Sequence, residues 1–117
     1  MEIAADLDAP PDRLSDAQQT VVLRILQEAL QNIRKHAQAR SVGVATQIED
    51  WEWILEVRDD GRGFDVSSVA ARGRRNFGLQ FMRERAELIE ARLDVRSRPD
   101  GGTVIRLAIP MAAEESR

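Results

Sequence analysis

The stretch WEWILEVRDDGRGFD, Trp51 to Asp65, begins like a strand and ends like a turn. In its first part Trp51, Trp53, Leu55 and Val57 share one face, and Glu52, Ile54, Glu56 and Arg58 share the other. That is the period-two pattern of a half-buried strand. In its second part the carboxylates Asp59, Asp60 and Asp65 surround Gly61 and Gly63. Glycine adopts positive φ at little cost and lets other groups come close to the backbone. The same residues describe a surface turn or a wall that admits a ligand, and the rest of the chain has to decide between them.

The preceding run, SVGVATQIED, alternates through Val42, Val44 and Ile48. Glu49 and Asp50 stand between the two runs as a turn, which predicts an antiparallel hairpin packed on one face and mostly solvated on the other. Working outward, EIAADLD reads as a short edge strand with Ile3, Ala5 and Leu7 alternating, ended by Pro10 and Pro11. Ser15 is placed as a helix N-cap with Gln18 in the capping-box position. A helix follows from about Asp16 to Gln38, with Val22, Leu26, Ala29 and Ile33 as its apolar stripe. Beyond Asp65, residues up to Asn76 show little periodicity and read as a loop. A second helix is predicted from about Asn76 to Glu90, buried through Leu79, Met82, Ala86 and Ile89. Leu93 and Val95 begin another strand, PDGG (Pro99 to Gly102) is a turn, and Ile105, Leu107 and Ile109 face inward from the last strand. The order β-α-β-β-loop-α-β-β predicts a two-layer α/β sandwich: a mixed sheet of about five strands with two or three helices on one face. One domain is expected over residues 1–111, with a frayed tail at 112–117.

Composition narrows the chemistry. The 117 residues carry 17 basic and 20 acidic side chains, a formal net charge of -3, so there is no overall basic footprint for nucleic acid. There is no cysteine, which excludes disulfides and cysteine zinc sites, and one histidine, which excludes a multi-histidine metal centre. No apolar run approaches the length of a membrane helix.

Three places depart from a plain structural pattern. The first is QEALQNIRKHA on the long helix. Counting about 100° per residue from Glu28, Asn32 lies about 40° to one side, Lys35 about 20° to the other and His36 about 80° away. Glu28, Asn32 and Lys35 thus form a polar ridge beside the buried stripe. A carboxylate can orient a reacting group, an amide oxygen suits a hard cation, and an ammonium suits phosphate. A solvated helix side has the same spacing and is the commoner case. The second is the glycine stretch, where Asp59 at a strand end can accept from an exocyclic amine. It lacks the GKS or GKT of a Walker loop, the full dinucleotide fingerprint and the ligand spacing of a calcium loop. The third is RRNFGLQFMRERA, where a helix begins near Gly78 after Arg72, Arg74 and Arg75. Unpaired amides at a helix start favour an anion. Jointly the three fit a phosphate-rich ligand with Mg²⁺.

With these residues in view, the chain resembles the ATP-binding catalytic domain of sensor histidine kinases, within the wider family of type II topoisomerases, mismatch-repair ATPases and a heat-shock chaperone, and most of all the nitrate/nitrite-sensor-like branch. RILQEALQNIRKHAQA (Arg24 to Ala39), EVRDDGRGFD (Glu56 to Asp65), FGLQFMRERAELI (Phe77 to Ile89) and GGTVIRLAIP (Gly101 to Pro110) look like its four boxes in the right order. The resemblance implies a Bergerat-type sandwich with ATP and Mg²⁺ as cofactors. Glu28 would be the catalytic carboxylate and Asn32 the Mg²⁺ ligand. Lys35 and His36 would lie near the triphosphate. Asp59 would accept from the adenine amino group beside Gly61 and Gly63. Gly78 and Leu79 would face phosphate, and Thr103 would support the adenine end. Residues of about 66–75 would form a mobile ATP lid.

The implied reaction is phosphoryl transfer to a histidine on a separate dimerisation domain of the same parent protein, and from there to a response regulator. The domain itself would be cytoplasmic and touch neither nucleic acid nor membrane, in a parent for which a plasma-membrane anchor stays open. His36 lies in the nucleotide box and is not the expected phosphoacceptor. Two departures stand out. The lid has Gly73 followed by RRNF where relatives carry more glycine. Glu90-Ala91 replaces a common Gly-Gly turn, and without glycine a left-handed cap is unfavourable, so a different turn geometry is expected there. Two other readings stay open: a serine/threonine kinase of the anti-sigma-factor type, and a non-enzymatic interaction module with a degenerate nucleotide site.

Overall fold

The computed structural model describes residues 2–65 and 78–111. Five strands form one mixed sheet in the order β1-β2-β3-β5-β4: β1 (Glu2–Leu7), β2 (Ser41–Glu49), β3 (Glu52–Asp59), β4 (Arg92–Ser97) and β5 (Thr103–Pro110). β1 runs parallel to β2, and every other neighbouring pair is antiparallel. Helices α1 (Asp16–Asn32) and α2 (Leu79–Leu88) pack against each other and against one face of the sheet. This is the expected two-layer sandwich. The expected lid at about 66–75 and the tail at 112–117 lie outside the described residues, as do Arg72, Arg74, Arg75 and Asn76.

α1 starts where the capping box predicts. Gln18 N–H donates to Ser15 Oγ at 3.1 Å, and Ser15 N–H donates to Gln18 Oε1 at 2.8 Å, so two amides without intrahelical acceptors are satisfied reciprocally. Its buried residues are Val21, Val22, Ile25 and Ala29, continued by Ile33, while Leu26 is only partly buried. The stripe therefore centres on Ile25 rather than on the predicted Val22–Leu26 line. These side chains meet Trp53, Leu55, Val57, Ile105, Leu107 and Ile109 of the sheet and Leu79, Met82 and Ala86 of α2 in one core. Trp53 is the largest buried side chain, and its indole N–H donates to the Ala9 carbonyl at 3.0 Å. Ala9 N–H in turn donates to Thr46 Oγ1 at 3.2 Å. The segment after β1 is thus tied across the end of the β2–β3 hairpin without leaving a buried polar atom unpaired.

Three local expectations are corrected. Trp51 does not share the buried face of β3. Asp50 (φ 51°) and Trp51 (φ 64°) are the two central turn residues between the paired Glu49 and Glu52, and Trp51 is exposed. A two-residue hairpin turn with both φ positive matches the twist of the strands, so the alternation begins at Glu52. Ile54, predicted on the wet face, is buried. On that face it lies between Glu52 and Glu56, which bridge to Arg92 and Arg106, and long charged side chains of this kind shield apolar surface with their stems.

The end of α2 is the third. Glu90 takes φ 56°, its N–H donates to Glu87 O at 3.1 Å, and Ala91 N–H donates to Ala86 O at 2.9 Å. That is the left-handed Schellman cap, formed without glycine. The two hydrogen bonds and the turn into β4 outweigh a left-handed cost of about 1–2 kcal/mol.

Candidate functional site

Asp59, Gly61, Gly63 and Thr103 stand at one end of the sheet, where β3 ends and β2 and β5 begin. Asp59 is the last residue of β3, paired with Val42 of β2 and Thr103 of β5. Strand alternation puts it on the same face as Leu55 and Val57, beneath the helices, and it is 7% exposed. Its Oδ1 accepts from Gly61 N–H at 2.7 Å. Burial raises the Asp59 carboxyl above its ordinary value, the Gly61 hydrogen bond opposes this, and the neighbouring Asp60 charge adds to it. A buried carboxylate held at one oxygen keeps lone pairs to offer a donor.

Asp60 points the other way and has a different job. Its Oδ1 accepts from Arg40 N–H at 2.8 Å and Ser41 N–H at 3.0 Å, and its Oδ2 accepts from Ser41 Oγ at 2.9 Å. These bonds hold its carboxyl below the usual value and clip the chain leaving α1 to the end of β3. The sequence reading singled out Asp59 as an acceptor and gave Asp60 no role. Parity along β3 was the available signal, since Asp59 continues the inward series and Asp60 breaks it.

The glycine segment is braced from the β4–β5 turn. Gly63 has φ 61°, and a side chain there would run into the carbonyl oxygens of Arg98 and Gly102. Gly102 has φ 72°, and a side chain there would run into the carbonyl oxygen of Asp59. Asp100 N–H donates to Arg62 O. What the missing side chain of Gly63 makes room for is therefore another strand turn, which fixes the wall that begins at Gly61. Ser97, not singled out by sequence, links the same parts. Its Oγ accepts from Phe64 N–H at 2.9 Å and lies 2.8 Å from Thr103 Oγ1. Thr103 is thereby held beside Asp59.

On the helical side, α1 carries Glu28 and Asn32, both half-buried. Beyond Asn32 the backbone widens into a π-helical turn, Ile33–Ala37, and ends at Gln38 with φ 52°. The helix was expected to run regularly to Gln38. The wider turn, a feature often found at functional sites, re-aims Lys35 and His36, and a wheel of 100° per residue no longer places them. Lys35 is exposed and His36 half-buried. Glu28 meets the start of α2. Gly78 is the α2 N-cap with φ 73°, and a Cβ built there would lie 2.7 Å from Glu28 Cδ and 2.8 Å from Glu28 Oε1. The carboxylate thus sits at the helix start, where the first amides lack intrahelical acceptors and the dipole favours negative charge. Leu79 has its side chain in the core, 1% exposed, so only its backbone can face a ligand.

The structure therefore brings together Glu28 with Gly78, Asp59 with Gly61, and Gly63 with the turn that carries Thr103. Among the described residues no group of three or more histidine, cysteine, aspartate or glutamate side chains is placed to hold a metal ion. No described helix is long and apolar enough to cross a membrane.

The family model for histidine kinase-, DNA gyrase B- and HSP90-like ATPases matches residues 17–113. The chain belongs to this ATPase family. The match runs from the first turn of α1 to just past β5 and so includes every element that lines the site. Relatives include the signal transduction histidine-protein kinase/phosphatase DegS of Brevibacillus brevis, 35% identical over 89% of this chain and 26% of the relative. DegS of Bacillus subtilis is 31% identical over 86% of this chain and 26% of the relative. The sensor protein VraS of Staphylococcus aureus is 36% identical over 81% of this chain and 26% of the relative. The chain thus spans about a quarter of the length of these relatives. Among solved structures, the blue-light activated histidine kinase of Erythrobacter litoralis shares the fold with a TM-score of 0.73 at 20% identity, over 99% of this chain and 37% of that one. The Acinetobacter baumannii histidine kinase AdeS shares it with a TM-score of 0.72 at 14% identity, over 94% and 54%. This ATPase domain is homologous to the catalytic domains of sensor histidine kinases.

Proposed function

We propose that this domain binds ATP with Mg²⁺ and is the catalytic part of a sensor histidine kinase, passing the γ-phosphoryl group to a histidine on a separate dimerisation domain of the parent protein. A response-regulator aspartate would then receive it. The observation that carries the reading is Asp59: a carboxylate buried at a strand end, held at one oxygen by Gly61 and flanked by Thr103. A buried carboxylate is costly unless it meets donors, and an exocyclic amine supplies one. The box RILQEALQNIRKHAQA supports a place near the nitrate/nitrite-sensor-like branch. The domain would work in the cytoplasm.

In this reading Asp59 accepts from the adenine amino group, and the segment from Gly61, braced through Gly63, walls the ring. Thr103 supports the adenine end. Glu28, at the start of α2, orients the imidazole that is to be phosphorylated. Lys35 and His36 meet the phosphates, and the Gly78–Leu79 backbone faces them. The donor set fits Mg²⁺ arriving with the nucleotide: this ion keeps several waters and binds through few protein oxygens plus phosphates, and the Asn32 amide oxygen is such a donor. When bound, the ion neutralises phosphate charge, which is most of what this transfer requires.

Calorimetric titration with a non-hydrolysable ATP analogue tests the reading. Saturable 1:1 binding, tightened by Mg²⁺ and weakened about tenfold or more by Asp59→Asn, is expected, since the amide presents a donor where an acceptor is needed. A folded sample that binds no analogue, or an Asp59→Asn variant of unchanged affinity, overturns it.

A further inference from the structure

Asp59, Thr103 and Ser97 form one row across three strands at the site end of the sheet. Asp59 of β3 pairs with Thr103 of β5, and Thr103 pairs with Ser97 of β4. Paired residues project to the same side of a sheet. Alternation from the core residues Val57, Ile105 and Val95 puts the row on the face that carries the helices. Two strand spacings, about 10 Å, separate Ser97 from Asp59, so any part that Ser97 plays beside Asp59 is played through Thr103.

The hydroxyl of Ser97 is fully engaged. A hydroxyl has one hydrogen to give and two lone pairs to fill. Three contacts meet at Ser97 Oγ: the Phe64 amide nitrogen at 2.9 Å, the Gly102 carbonyl oxygen at 3.0 Å and Thr103 Oγ1 at 2.8 Å. An amide N–H only donates, so Phe64 fills one lone pair. A carbonyl oxygen only accepts, so the single Ser97 hydrogen goes to Gly102. The contact with Thr103 then needs the Thr103 hydrogen, which fills the second lone pair. No other arrangement of hydrogens makes all three bonds. Were Ser97 to donate to Thr103 instead, the carbonyl of Gly102, a buried residue, would lose this donor, and a buried polar group left unpaired is costly.

Thr103 therefore turns its one hydrogen along the row toward β4. What its Oγ1 keeps for the Asp59 side is lone pairs. Asp59 also presents an acceptor there, its Oδ1 being held by Gly61 N–H. Two acceptors on neighbouring strands thus stand side by side, and a group that enters between them has to bring hydrogens. An exocyclic amine brings two. A carbonyl oxygen in the same place meets lone pairs.

We propose that Ser97 is a positioning residue for nucleobase specificity: by taking the Thr103 hydrogen it fixes Thr103 as an acceptor, so that the site reads an amino purine against an oxo purine. The inference rests on the ATP reading given above and adds to it a residue that acts through Thr103. A Thr103 hydroxyl free to turn could donate to the oxygen of an oxo purine and accept from the amine of an amino purine, and would discriminate little. Discrimination comes from a group held so that the wrong partner is left unpaired or repelled.

The test is calorimetric titration of the 117-residue chain with a non-hydrolysable ATP analogue and with its inosine counterpart, which carries a carbonyl in place of the amine. The wild type should bind the adenine analogue about a hundredfold more tightly. Ser97→Ala releases the Thr103 hydrogen, so this ratio should shrink about tenfold, chiefly because the inosine analogue gains. Ser97→Thr keeps the hydroxyl and should keep the wild-type ratio. A merely structural part for Ser97 would weaken both analogues alike, and an unchanged ratio in Ser97→Ala would overturn the proposal. Thr103→Val, the same in shape, tests the polarity with Ser97 intact. It should weaken the adenine analogue and leave the inosine analogue unchanged or tighter, because only lone pairs are removed from the site. Weaker inosine binding in Thr103→Val would show that Thr103 donates, and would also overturn the proposal. These failures leave binding of the adenine analogue standing, whereas a folded wild type that binds neither analogue overturns the ATP reading and this inference together.

Discussion

Replacing Gly78 by alanine tests the junction between α1 and α2 directly. Two costs arise. Gly78 has φ 73°, a left-handed conformation that costs an L-residue about 1–2 kcal/mol, partly offset by about 0.4–1 kcal/mol because alanine restricts the unfolded chain. The added methyl would also sit 2.7 Å from Glu28 Cδ, closer than carbon atoms tolerate. Glu28 can swing away, so this second cost falls near the lower end of the roughly 1–3 kcal/mol seen for overpacking. The two parts separate in a double-mutant cycle. Gly78→Ala should destabilise the wild type by about 1.5–2 kcal/mol, but a Glu28→Ala background by only about 0.5–1 kcal/mol, because the shortened side chain no longer meets the methyl. Urea unfolding of the four proteins measures this, as midpoint differences at constant slope. Equal costs in both backgrounds, within about 0.3 kcal/mol, would refute the contact between Glu28 and the start of α2.

Glu90→Gly should stabilise the domain by about 0.5–1 kcal/mol, the left-handed cost less the freedom that glycine gains when unfolded; Glu90→Ala should not, and thermal melts of the pair decide. Asp60→Ala should destabilise. Because the folded-state carboxyl is lowered below its ordinary 3.8, the wild-type advantage is full above that value and shrinks as pH falls through the lower folded value, which denaturation curves from neutral to acid pH will show. Asp59 behaves in the opposite sense. Its carboxyl is raised, so ionisation costs the fold stability at neutral pH, and Asp59→Asn should leave stability equal or higher there while weakening the nucleotide analogue. A clear loss of stability at neutral pH would show instead that the charge holds the turn together. Without nucleotide, the domain should take up no Mg²⁺ in a calorimetric titration at millimolar ion, given that no carboxylate cluster is present among the described residues.

Much of this domain is written in local pattern. The capping box at Ser15 and Gln18, the alternation through Trp53, Leu55 and Val57, and the inward series Leu79, Met82 and Ala86 are short-range consequences of helix and strand periodicity. They were sufficient for the element order and the sandwich, and the four boxes were sufficient for the family. Periodicity fails where a choice rests on what lies opposite. Nothing local shows that a glutamate takes the left-handed cap at position 90, that Ile54 is buried on the charged face, or that α1 widens after Asn32 and turns Lys35 and His36 away from their wheel positions. The same holds in the site. Asp59 and Asp60 are adjacent and chemically alike, yet the sheet puts one under the helices and ties the other to Arg40 and Ser41. Gly63 and Ser97 are 34 positions apart and act together only because the β4–β5 turn folds back onto the glycine segment. By itself the sequence determined which residues prefer helix, strand or turn, since those preferences act over a few bonds. Only the tertiary structure decided which side chain meets which, because burial, clash and hydrogen bonding depend on neighbours that the chain brings from far away.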